Sequence, residues 1–347
     1  MSTTDDRQVR DVAIIGGGPA GLSAALTLAR ARRSVAVIDG GEPRNAPAQA
    51  AHGLLGLEGI DPLQLLATGR EEAASYGAQI VRAGVVAAQP AVAAADGGFV
   101  VSLEDGSEVR ADQLLITTGV LDDLPAVPGL AQRWGRDVVH CPYCHGWEIR
   151  DQRIGLLATG PMSALQALLF HQWSEQVWFF PSGMEFPADQ LAKLGAVGIA
   201  VVPGSVSGID VEADRLTGVS LDDGRRVDLD ALAVPALTRA RLEGLQGLGV
   251  KTVTNAAGVI VVADGSGHTS VPGVWAAGNV VNPGMQISES AANGSRVAMT
   301  INTELVFARA TRSTPPAGNG TAGTETASTG GAGAESVRAA ADLGRRT

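Results

Sequence analysis

A chain of 347 residues with 45% hydrophobic content can bury two ordinary domains. Its net charge of -10 provides no basic field for phosphate backbones or anionic lipids, so no nucleic-acid and no membrane partner is expected, and small molecules or proteins remain. The polar N-terminus MSTTDDRQVRD lacks the apolar core of a signal peptide and no later apolar run reaches spanning length, which makes the cytoplasm the expected compartment.

The first element pattern is DVAIIGGGPAGLSAALTLARARRSVAVID. Asp11 to Ile15 reads as a strand, a glycine turn and a helix follow, and Ser34 to Asp39 reads as a second strand. Gly16, Gly18 and Gly21 satisfy G-x-G-x-x-G, with Pro19 and Ala20 between them. Such glycines allow a tight turn, close approach of a pyrophosphate to the helix N-terminus, and close packing of helix on strand. Asp39 ends the second strand, followed by Gly40, where a carboxylate can accept from a ribose hydroxyl. A glycine-rich loop without a ligand is the alternative; strand, turn, helix and terminal acid in register favour a dinucleotide site.

Further along, LLITTGV (Leu114 to Val120) and GVWAAGNV (Gly273 to Val280) resemble the second and third FAD fingerprints of the two-dinucleotide flavoprotein reductases. The resemblance implies FAD as cofactor and adds Thr118, Gly119, Gly278 and Asn279 to its site. Asn279 stands where that family usually has an aspartate bonding the ribityl chain, and an amide can still make such a bond. The implied fold is α/β, a Rossmann-like FAD domain with an inserted degenerate NADPH-type domain. Its expected parts are residues 1–122 and 249–312 for the FAD domain, 123–248 for the insertion, and 313–347 for a Gly-, Ala-, Ser- and Thr-rich disordered tail.

The insertion carries a second strand-turn-helix-strand pattern, RIGLLATGPMSALQALLFHQWSEQVWFFPSG. With a C-x-x-C near its start, it makes residues 10–312 resemble the low-molecular-weight thioredoxin reductases, in which the inserted domain binds a pyridine nucleotide. Two departures matter. Ala158, Gly160 and Ser163 occupy the fingerprint positions, so the first glycine is absent, and Phe179 to Gly183 contain no Arg or Lys to meet a 2′-phosphate. A divergent but working NADPH site, and hence an NADPH-dependent thioredoxin reductase, is the competing reading.

Both cysteines of the chain lie in HCPYCHGWE, residues 140 to 148. A lone close pair is a redox dithiol or part of a metal set, and zinc would need four ligands where no second C-x-x-C or H-x₃-H exists. Together with DGGEPRNAPAQAAHGLLGLEG, this stretch resembles the FAD-dependent dithiol oxidases that close the disulfides of holomycin, gliotoxin and related natural products. The resemblance implies a homodimer in which electrons pass from a small-molecule dithiol through the cysteines to FAD and on to O2, giving hydrogen peroxide.

A C-x-x-C at a helix start presents one thiolate outward and lowers its pKa, which makes Cys141 the candidate for substrate exchange. By resemblance, Cys144 lies nearer the flavin and passes electrons to it at C4a. Thiol oxidation also releases protons, for which an imidazole beside the pair is suited. His145 takes the place of an acidic residue in the reductases, and His140 is expected to pair with Asn45, as the gliotoxin-type oxidases suggest; a histidine that only caps a turn is the alternative for each. His52, His171 and His268 lack comparable context and read as structural. Finally, NPGMQISESAANGSRVA reads as a helix whose first amides, those of Met285, Gln286 and Ile287, face the isoalloxazine and stabilise the anionic reduced flavin; a plain surface helix is the alternative.

Overall fold

The computed structural model describes residues 8–91 and 97–313; the tail read as disordered lies, beyond Ser313, outside the described residues. In chain order, β1 (Arg10–Ile15), α1 (Pro19–Arg30) and β2 (Val35–Ile38) form the first βαβ unit. They are followed by α2 (Pro62–Ser75), β3 (Gln79–Val81), β4 (Val85–Pro90), β5 (Phe99–Leu103), β6 (Glu108–Ile116) and β7 (Val120–Asp123). Next come α3 (Leu130–Arg133), β8 (Val138–Val139) and α4 (Pro142–His145), then a second βαβ unit of β9 (Ile154–Leu157), α5 (Ser163–Phe170) and β10 (Val177–Phe180). The remaining elements are α6 (Ala188–Ala196), β11 (Ala200–Val201), β12 (Val206–Glu212), β13 (Arg215–Leu221), β14 (Arg226–Asp228), β15 (Ala231–Ala233), β16 (Leu237–Ala240), β17 (Thr252–Asn255), β18 (Gly258–Val261), β19 (Val274–Ala276) and α7 (Ile287–Ser313).

The first sheet runs β3-β2-β1-β6-β5-β4, with β19 also on β6. β6 is long enough to have two partners on one edge: residues 108–111 pair antiparallel with β5, and residues 114–116 pair parallel with β19. Strands covered on both faces read as continuous apolar runs, which is why β1 and β2 show no polar alternation. Val12 and Ile14 pack with α1 on one side, while Ala13 and Ile15 pack with Phe99 and Leu114 on the other.

A second, parallel sheet has the order β11-β10-β9-β15-β8, and the antiparallel sheet β12-β13-β14 shares with it a core containing Leu157, Phe180, Val219 and Leu232. The chain leaves the first sheet through β7 and returns through β16, and these two passes pair antiparallel from Val120↔Ala240 to Asp123↔Leu237. Described residues up to Leu305 form one compact unit, and those from Val306 onward form a second. What this arrangement does for function is to bring the C-terminal ends of β1, β6 and β8 to one cavity, as open parallel sheets do with their ligands.

Candidate active site

The glycine turn after β1 has the geometry its spacing requires. A Cβ at Gly21 would stand 1.9 Å from the Gly16 carbonyl oxygen, and one at Gly16, whose φ is +116°, would stand 2.4 Å from Thr117 O. Gly18, by contrast, has nothing within 4 Å of a built Cβ. Two glycines therefore let helix and strand close on each other, and the third leaves an open face at the N-terminus of α1, where Pro19 takes the first helical position. Asp39 is buried at the end of β2, its Oδ1 accepting from Gly41 N at 2.9 Å and its Oδ2 from Arg70 and Arg82 at 3.3 and 3.2 Å. The two guanidiniums fix the carboxylate at the cavity edge; Arg70 and Arg82 carry no local motif that would have revealed them.

At the opposite wall Asn279 donates its Nδ2 to the carbonyls of Asn282, Pro283 and Met285 at 3.1, 3.2 and 2.9 Å. An aspartate could make none of these bonds. The departure seen in the sequence is thus a loop clamp. The expectation for the α7 amides needs correction. Met285 N–H already donates to Asn282 O at 3.2 Å, and Gln286 N–H to Glu289 Oε2 at 2.8 Å. The second bond is half of a capping box, a Glu at the third helical position reaching back to the N-cap amide. Only Ile287, the first residue of α7, retains an N–H without a partner among the described hydrogen bonds, as helix N-termini do.

Cys141 and Cys144 are joined as a disulfide with Cα atoms 5.3 Å apart. Cys141 occupies the N-cap of α4, its Sγ accepting from Cys144 N–H at 3.2 Å. α4 itself has four residues, so a summed helix dipole contributes little here and the single N–H at the sulfur is what favours a Cys141 thiolate.

The flanking histidines lie in different environments. His140 has Nδ1 3.3 Å from Val234 O. Burial pushes its imidazole below the ordinary value and Arg44 adds to that shift, against the opposing pull of Asp122 and the Val234 carbonyl. The expected bond from His140 to Asn45 is not among the described hydrogen bonds; Asn45 O accepts from Ala48 N–H at 3.1 Å within its own turn, and both residues line the cavity. The residue that anchors the EPRNAP stretch is Arg44, which grips Asp122 of β7 with two bonds of 2.8 and 2.5 Å and donates to Pro283 O at 3.2 Å. His145 is also pushed down by burial, with Glu148 opposing and His52 reinforcing, and its Nδ1 is buried without a partner.

These groups surround one cavity of about 950 Å³, at the large end for small-molecule sites. It is lined by the glycine turn, Asp39 and Gly40, Asn45, Thr118 and Gly119, the histidines and cysteines, Asn279, and residues 285–287. Gly21 and Gly278 lie behind the lining: a Cβ on Gly278 would stand 2.7 Å from that of Ala20, so this glycine sets how closely the end of β19 packs on α1. Among the described residues, the buried side-chain polar atoms left without partners are Thr118 Oγ1, His145 Nδ1 and Gln166 Oε1, and all three belong to residues of this cavity wall. Orphaned polar atoms gathered at one cavity indicate ligand contacts. His52, read from the sequence as structural, also lines it, whereas His171 bonds Ser174 O at 3.1 Å and His268 pairs with Asp264 and Glu304 away from it.

Residues 10–297 match the pyridine nucleotide-disulphide oxidoreductase family. The chain belongs to that family. Thioredoxin reductase tcpT of Claviceps purpurea is 34% identical over 292 residues, spanning 80% of this chain and 88% of that protein. Thioredoxin reductase sirT of Leptosphaeria maculans is 31% identical over 315 residues, spanning 86% and 95%. Among solved structures, that of HlmI aligns with a TM-score of 0.81 at 41% identity, covering 88% of this chain and 96% of that one. This disulphide oxidoreductase is a flavoprotein of the thioredoxin reductase-like fold, and its cofactor is FAD. The cradle fits that cofactor: an open glycine face for a pyrophosphate, a fixed carboxylate at the end of β2, and the unpartnered Thr118 hydroxyl.

Proposed function

We propose that the protein oxidises a small-molecule dithiol of the dithiolopyrrolone or epidithiodiketopiperazine type to its intramolecular disulfide, with O2 reduced to hydrogen peroxide. The observation that carries this direction of electron flow is the turn of the second βαβ unit. There the buried Ser163 hydroxyl accepts from Thr159 N–H at 3.1 Å and from Gly160 N–H at 3.2 Å, and the Thr159 hydroxyl is itself bonded to Pro235 O. Amides that face a pyrophosphate in a working nucleotide site are satisfied from within, and the adjoining Phe179 to Gly183 stretch has no cation. The dithiol reaches the other end of the insertion, where α4 opens to the main cavity.

One substrate thiolate attacks Cys141 Sγ, the Cys141–Cys144 bond breaks and Cys144 leaves as thiolate; the second substrate thiolate then displaces Cys141 and closes the product disulfide. Two electrons remain on the cysteine sulfurs. FAD, held by the glycine turn, Asp39 and Thr118, would supply the two-electron acceptor between the cysteine pair and oxygen. His140 and His145, held neutral by burial, take the two thiol protons, while Arg44, locked to Asp122, keeps the loop carrying Asn45 on the wall of the cavity that holds the cysteines.

The test is anaerobic bleaching of the holoenzyme. A small dithiol reduces the flavin rapidly and NADPH does not, and peroxide appears stoichiometrically on admitting air. Rapid bleaching by micromolar NADPH with no peroxide coupled to dithiol would replace this reading with an NADPH-dependent thioredoxin reductase.

A further inference from the structure

A second cavity of about 600 Å³ lies behind the wall of the first, and the two share Ala50, His52, Gly135 and His145. Two of these four residues are imidazoles. Most of the rest of the far cavity's lining is charged: Arg133 bonds Asp137 and Asp214, Arg136 also bonds Asp214, and Arg215 lines it beside them. His140 lines the main cavity alone, facing the Arg44–Asp122 pair. Of the histidines beside the disulfide, therefore, only His145 reaches the charged cavity. His52 stands in the same wall between two carboxylates, Nδ1 at 2.7 Å from Glu58 Oε1 and Nε2 at 3.5 Å from Glu148 Oε1. Glu58 is held in turn by Gly53 N–H at 2.8 Å and is largely exposed.

We propose that His52 is the exit station for protons released at the cysteine pair, passing them from His145 to Glu148 at the charged cavity and to the exposed Glu58, away from the substrate. The inference rests on the dithiol-oxidising reading. Closing a dithiol R(SH)2 to its disulfide leaves two electrons on Cys141 and Cys144 and frees two protons, and a neutral imidazole must lose the proton it takes before the next turnover. His145 and His52 both stand in the wall that the two cavities share, and His145 feels the charges of Glu148 and His52, so His52 is placed to carry its proton to the far side of that wall. His52 acts through His145 as a positioning residue for the proton; the charged groups that face the pair are Glu58 and Glu148, with Arg133, Arg136, Arg215, Asp137 and Asp214 across the second cavity.

The experiment follows steady-state conversion of dithiothreitol to its cyclic disulfide by the aerated holoenzyme, where His145 has to be emptied at every turnover, for wild type, His52→Gln and Glu58→Gln. His52→Gln should be slower by about tenfold or more near neutral pH. The loss should shrink above about pH 8.5, where thiols ionise unaided, and should be relieved by added imidazole. Glu58→Gln should show a smaller loss with the same pH dependence, and it tests the route if His52→Gln does not fold. A wild-type rate and pH profile in His52→Gln, or a loss that neither imidazole nor high pH restores, overturns the proposal. Peroxide and an anaerobic arm separate the two readings: disulfide formation in air with the expected His52 dependence but without peroxide overturns the oxidase and leaves the proton route standing, whereas a wild-type disulfide inert to dithiothreitol without air overturns both.

Discussion

Replacing His140 by alanine removes an imidazole whose roles are fixed by one backbone atom. Val234 O can only accept, so at 3.3 Å Nδ1 carries the hydrogen and the neutral ring keeps its lone pair on Nε2. Burial, with Arg44 reinforcing it, holds the ring below the ordinary value of 6.5. The base form therefore persists to lower pH than for an exposed histidine, and the acid limb of turnover lies below that value. General-base assistance contributes about 10² to 10⁴ in rate, or about 3 to 5 kcal/mol of barrier. Peroxide release with a small dithiol, normalised to bound FAD and measured between about pH 6 and pH 9, should fall by that factor in His140→Ala near neutrality and converge on wild type where the thiol ionises alone. Stability has the same sign: a ring neutral in the folded protein contributes fully above its unfolded pKa, and that contribution is lost as pH falls through the lowered folded value, so His140→Ala should flatten the acid side of the melting curve. Asn45→Ala should lose little, because Val234 and not Asn45 sets the tautomer. A His140→Ala enzyme with full FAD and a wild-type pH profile refutes the assignment and leaves proton uptake to His145.

The cysteine roles separate spectroscopically: Cys141→Ser should retain a long-wavelength charge-transfer band from the Cys144 thiolate, while Cys144→Ser should lose it and trap substrate as a mixed disulfide on Cys141. A trapped adduct on Cys144 in Cys141→Ser reverses the order. In the FAD cradle, Gly21→Ala places a methyl 1.9 Å from Gly16 O and 2.7 Å from the Thr117 hydroxyl, so α1 has to retreat by more than an ångström. Overpacking of that kind costs about 1 to 3 kcal/mol, or about 5- to 150-fold in FAD affinity. Flavin absorbance per protein after dialysis should drop accordingly, and full retention contradicts the close-packing role.

What was legible in the sequence is what a single residue type is obliged to do locally. Gly16 and Gly21 announce the first βαβ unit because no side chain fits against Thr117 O or Gly16 O, and the cysteine pair announces itself by spacing. The surroundings of that pair are assembled across the chain and are silent in sequence. Arg44 meets Asp122 across 78 positions, and the partner that orients His140 is a main-chain oxygen at residue 234, which no side-chain pattern can signal. His52 looked structural because its carboxylates, Glu58 and Glu148, come from two separate segments. Even departures from a motif change meaning once placed. Ser163 reads in sequence as the residue at the third fingerprint position, yet in the fold its hydroxyl accepts from the Thr159 and Gly160 amides of its own turn. Asn279 reads as a lost aspartate, yet its NH2 ties down three carbonyls that an aspartate would repel. A substitution inside a binding motif thus carries two possibilities, loss of the ligand or a new internal partner, and only the positions of neighbouring donors and acceptors decide between them.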